Sequence, residues 1–183
     1  AHLQLAQTTE FAATLQRLFK ADPALATLTA EERSRLFALW SERGDVAQLT
    51  AFLEAHPEML AEGWRAMAKA RAGRGDFRGA YELTVRFGTR PALPQAKGSR
   101  VSIEQMQKAV FSDPNDYQSA FTLYQLQSAA GQADDALITA RRFTQQPAAP
   151  AYFHFLEAEG WAAQGNWERA WSAWLAFESK GGR

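Results

Sequence analysis

The chain of 183 residues contains no cysteine and only three histidines. Without a thiol there is no disulfide framework, no thiolate zinc site and no cysteine nucleophile. Charge of one sign is also lacking, since 20 Lys+Arg stand against 20 Asp+Glu. That balance argues against a dedicated nucleic-acid binder, whose surface is usually strongly basic. No apolar run approaches the roughly 18 residues that span a bilayer. No signal-peptide pattern follows Ala1, so an excerpt or a processed form of a longer chain is expected. None of these absences assigns a compartment.

Catalytic signatures are missing too. Gly73-Arg74-Gly75 sits at a helical turn and lacks the strand that a phosphate-cradling loop needs. No nucleophile elbow occurs. The carboxylate pairs Glu31-Glu32 and Asp134-Asp135 stand near expected helix starts, where stabilisation of the helix N-terminus explains them. His154 and Glu157 are three apart on one expected helix. No second ligand pair converges with them, so no metal site is expected. The expectation is therefore no enzyme, no catalytic residue and no cofactor.

A repeat is what the chain does have. Pro23 to Pro57 and Pro57 to Pro91 are each 34 residues, and Pro114 to Pro147 is 33. Four glycine phrases keep the same beat: Gly44-Asp45-Val46, Gly75-Asp76-Phe77, Gly131-Gln132-Ala133 and Gly165-Asn166-Trp167. Ala80, Ala136 and Ala170 stand five residues after their glycines, and Leu49 holds that place in the first phrase. Glycine ends a helix cheaply in the left-handed region. An Asp or Asn after it caps the next helix. A small residue lets two helices approach, and proline stops the second one. The unit is helix, tight turn, helix, stop.

Apolar residues at helical spacing predict helices over 30–43 and 45–55, 61–74 and 76–88, 116–130 and 132–145, and 151–164 and 166–179. Two further segments, 9–22 and 102–113, read as lone second helices leading into Pro23 and Pro114. No stretch alternates with period 2, so no sheet is expected. Residues 89–100 (TRPALPQAKGSR) have two prolines and no apolar period, and are expected to be a loop.

The period and these positions resemble the tetratricopeptide repeat. The stretch from Asp113-Pro114 through Gly131 to Ala136 carries the resemblance best. Trp64, Met67 and Ala68 fit it in the second repeat, and Ala158, Trp161 and Ala170 in the fourth. Phe37, Leu49 and Tyr124 depart from it, where the family has small residues. The resemblance implies an all-α, right-handed α-solenoid of about ten helices, read as one domain interrupted by the 89–100 loop. It further implies that first helices line a concave groove for a peptide or partner protein. Carried over residue by residue, that groove presents Glu62, Arg65 and Lys69, then Gln118, Phe121 and Gln125, then Tyr152, Phe155 and Glu159. The family's carboxylate-clamp set is not reproduced, so recognition of chaperone C-termini is not expected.

Two surface features complete the expectation. Trp167, Trp171 and Trp174 recur at spacings of four and three, which is one helix face. Core packing explains them; exposed, they would form a docking stripe for a partner or a second copy. Residues 61–100 hold nine Lys/Arg and three acids, whereas the rest of the chain holds eleven and seventeen. Either a solvated face or an acidic partner fits that local excess. The expected function is a non-catalytic protein-interaction scaffold with a groove. The alternative is an accessory domain of a larger enzyme or cell-envelope complex, or a self-associating assembly module.

Overall fold

A computed structural model describes residues 2–98 and 100–181, with side chains described from Thr9 onward. The side chain of His2 and Ser99 of the expected loop lie outside the described residues. Among those described there are ten α-helices, one short 3-10 helix and no strand. The chain divides into two compact units, one running through Phe87 and the other from Gly88 onward.

The N-terminal unit holds α1 (His2–Ala21), α2 (Ala30–Arg43), α3 (Val46–Ala55), the 3-10 turn Pro57–Met59, α4 (Leu60–Gly73) and α5 (Phe77–Phe87). The C-terminal unit holds α6 (Ile103–Ser112), α7 (Tyr117–Ala129), α8 (Ala133–Thr144), α9 (Tyr152–Ala163) and α10 (Trp167–Ser179). The expected boundaries are met to within a residue for every helix but the first. The first begins at His2 rather than residue 9.

Local chemistry sets the helix ends. Thr29 and Glu32 form a reciprocal capping box at α2, and Ser102 and Gln105 form another at α6. Asp45, Asp116 and Asn166 cap α3, α7 and α10 through their side chains. Three glycine turns share one geometry. Gly75, Gly131 and Gly165 have φ of 85°, 75° and 73°. The next residue donates its N–H five positions back: Asp76 to Arg71, Gln132 to Gln127, Asn166 to Trp161. This is the left-handed C-terminal cap with its 6→1 hydrogen bond. Gly44 departs from the expected pattern, with an extended backbone at φ −113°. It is required for space instead, because a Cβ there would fall 2.5 Å from Trp40 Cδ1.

Packing follows the repeat. Ala80, Ala136 and Ala170 are all buried, as is Leu49 at the equivalent place. In the N-terminal unit α4 packs on α2, α3 and α5. Gly63 makes that approach possible, since a Cβ would come 2.7 Å from both Leu53 methyl carbons. In the C-terminal unit each helix packs on the next in order. Its core is aromatic, with Phe143 and Phe153 stacked at 4.8 Å and Phe177 beside Trp174 at 5.3 Å. Burying each such ring stabilises the unit by about 1.5–3 kcal/mol relative to exposure.

Candidate functional site

The α2–α4 seam of the N-terminal unit opens into a hollow of about 300 Å³. Its floor is small and apolar: Ala38 of α2, then Gly63 and Ala66 of α4, with the edges of Phe37 and Trp64. Its rim carries Ser34, Ser41 and Glu42 opposite Arg65 and Lys69. A second hollow of about 340 Å³ shares Ser41, Ala66 and Lys69 and continues to Gly73 and Arg74.

Glu62, Arg65 and Lys69 all line the first hollow. Spacings of three and four put them on one face of α4. Their roles differ, however. The Glu62 side chain is only 13% exposed and meets Arg33 Nη2 at 2.7 Å. Arg33 also donates from Nε to Glu62 at 3.3 Å and from Nη1 to the Leu28 carbonyl at 2.6 Å. Glu62 therefore ties α4 to α2 and is largely spent inside the unit. Arg65 and Lys69 remain exposed. The Arg65 guanidinium lies 4.5 Å from the Trp64 ring centroid, which holds it over an apolar platform. Arg33 was missed from the sequence. Its signal is an opposite charge near the start of the preceding first helix, one repeat before Glu62.

The expected groove residues of the C-terminal unit divide more sharply. Phe121 is fully buried and meets Tyr152 edge-on at 5.8 Å. Phe155 is buried against Phe177 at 5.7 Å. Neither ring faces a ligand, so the groove assignment is corrected at both positions. The physical reason is ring-on-ring packing, because Phe121 of α7 meets Tyr152 of α9 and Phe155 of α9 meets Trp174 and Phe177 of α10. Tyr152 is half-buried and donates to the Tyr117 carbonyl at 3.4 Å. Burial pushes its hydroxyl up to about 12. Glu159 is half-buried, and burial raises its carboxyl against the opposing pull of Arg90. Gln118 and Gln125 are exposed.

The 89–100 segment covers part of that face. Its described residues form no helix or strand, yet Lys97 is firmly held. The Lys97 backbone N–H donates to Thr122 Oγ1 at 2.9 Å. The Lys97 ammonium donates to Asp116 Oδ2 and to Ser119 Oγ, each at 2.8 Å. Gln118 reaches the Gln95 carbonyl at 3.5 Å. Lys97 and the Ser119 hydroxyl hold the Asp116 carboxyl down at about 2. Asp116 is also the N-cap of α7, so one carboxylate both starts that helix and anchors the segment. Lys97 and Arg90 thus direct two of the nine positive charges of 61–100 toward acids of their own unit.

The tryptophan stripe is likewise mostly interior. Trp174 is 2% exposed and Trp171 is 7% exposed. Only Trp167 is half-buried. A docking stripe running through Trp171 and Trp174 is therefore corrected to core. Glu157, the neighbour of His154, accepts from the Trp161 indole N–H at 3.1 Å. Among the described residues no group of three or more His, Asp or Glu is arranged to hold a metal. No helix among them is long and apolar enough to cross a membrane. A scan against protein-family models and a search of curated proteins each return no match for this chain.

Proposed function

We propose that this chain is a non-catalytic protein-interaction scaffold of the right-handed α-solenoid kind, with degenerate tetratricopeptide-like repeats. The α2–α4 seam is its binding groove, and the occupant is a peptide or protein segment carrying an acidic side chain. The observation that carries this reading is the hollow of about 300 Å³ with an apolar floor and Arg65 and Lys69 exposed on its rim. Rigid helices present it ready-made, so the ordering cost falls mainly on the ligand. The two cations, one turn apart, favour a carboxylate.

The test uses peptides selected from a random library on the wild-type protein. Arg65→Glu combined with Lys69→Glu is expected to weaken the acidic binders at least tenfold in fluorescence anisotropy, about 1.4 kcal/mol. Helix content by circular dichroism is expected to stay unchanged. Unchanged affinity would remove the groove from the account.

A further inference from the structure

The C-terminal unit has a separate hollow of about 460 Å³, bounded by α8, α9 and α10. Six side chains matter in it: Arg141, His154, Glu157, Trp161, Arg169 and Ser172. The Trp161 ring is the centre. The Arg169 guanidinium carbon lies 4.6 Å from its centroid and that of Arg141 lies 5.2 Å away. Glu157 fixes the arrangement from behind. One of its oxygens accepts the indole N–H at 3.1 Å and stands 3.5 Å from Arg141 Nε.

Among the described residues the Arg169 guanidinium meets only the Trp161 ring. Five N–H donors are therefore held over a flat apolar surface with no acceptor opposite them. The ring limits the motion of the group, which lowers the entropic cost of using it. His154 also lines the hollow, and its Nε2 is buried without a hydrogen-bond partner. Ser172 adds an exposed hydroxyl. Lys180 donates to the carbonyls of Gln146 and Pro147 at 3.4 and 3.5 Å. It is near enough to His154 to join burial in lowering the ring's proton affinity. Two guanidinium groups, those of Arg141 and Arg169, thus share the hollow with the single carboxylate of Glu157. A planar guanidinium fork suits a phosphate in both charge and geometry.

We propose that this hollow is a binding site for a doubly charged, phosphate-type oxyanion, gripped by Arg169 and Arg141 on the Trp161 platform. The α2–α4 groove does not contribute to it, and the proposal stands independently of the peptide-binding reading. The bound group is either free phosphate or the phosphate of a monoester, and the test separates these sources.

The experiment follows the Trp161 indole N–H resonance of the full chain by NMR, assigned with a Trp161→Phe variant. Inorganic phosphate, phosphoserine and acetate are titrated at constant ionic strength. Saturable shifts with both phosphate probes, and none of that size with acetate, are expected. Tighter binding of phosphoserine identifies a monoester as the better ligand, and tighter binding of inorganic phosphate identifies the free ion. Arg169→Gln is expected to weaken phosphate at least tenfold. If that variant loses helix content, Arg169→Lys keeps the charge but not the fork and is expected to weaken phosphate severalfold. No saturable shift, an equal response to acetate, or wild-type affinity in the folded variant would overturn the proposal.

Discussion

The two units contain similar helix pairs and treat the faces of their first helices differently. In the N-terminal unit the α2–α4 seam is left open, and Arg65 and Lys69 stand exposed on its rim. In the C-terminal unit the corresponding face is filled. Phe121 and Phe155 close it from within, and the segment carrying Lys97 lies against α7 from outside. One repeat pattern thus yields a groove where charged residues stand on the seam and a core where aromatic residues take their place. The lesson is that the polarity of the side chain at the matched position goes with the outcome, since Arg65 stays exposed where Phe121 and Phe155 are buried.

The largest expected effect breaks the closed face. Phe121→Ala should destabilise the C-terminal unit by about 3–5 kcal/mol, as for a buried aromatic truncation. Chemical denaturation measures it. A cost within about 0.5 kcal/mol would mean that the ring is an exposed groove residue after all.

A smaller effect tests what Glu62 does in the open unit. Glu62→Ala leaves the Arg33 guanidinium in a largely buried place, 19% exposed, with only the Leu28 carbonyl to meet. A loss of about 1–3 kcal/mol is expected in the same experiment. A neutral result would return Glu62 to the list of residues available to a ligand.

The smallest effect concerns the Lys97 anchor. The Asp116 carboxyl is held at about 2 in the folded state, against an ordinary 3.8. Its folded affinity for protons is depressed, so its stabilisation is present above the ordinary value and is lost as pH falls toward 2. Both partners are partly exposed, so solvent screening leaves the pair worth roughly 0.5–1 kcal/mol at neutral pH. Lys97→Met should remove about that much and flatten the stability curve between pH 4 and pH 2. A curve as steep as the wild type's would detach the segment from Asp116.

Much of this architecture was legible in the sequence. The proline period and the glycine phrases gave the helix pairs and the loop, because local backbone chemistry sets them. Gly75, Gly131 and Gly165 take the left-handed turn that their phrases predict, whereas Gly44 is extended and leaves room for Trp40 instead. The candidate site was legible only in part. The face of α4 follows from spacing within one helix, and so Glu62, Arg65 and Lys69 fall together. Which of them is spent depends on Arg33, which lies 29 positions away in sequence. The burial of Phe121, Phe155, Trp171 and Trp174 likewise depends on how closely neighbouring helices approach, and helical periodicity carries no information on that distance. The hold on Lys97 was hidden for the same reason, since its partners belong to α7.

Amine labelling compares the open and closed faces most directly. The folded protein is treated briefly with an acylating reagent at mildly alkaline pH, and each lysine is followed by mass spectrometry. Lys69, exposed on the open seam, is predicted to react severalfold faster than Lys97, whose ammonium donates to Asp116 and Ser119 at 2.8 Å. In the Asp116→Asn variant that difference should shrink. Equal rates at Lys69 and Lys97 in the wild-type protein would contradict the distinction between an open groove and a covered one.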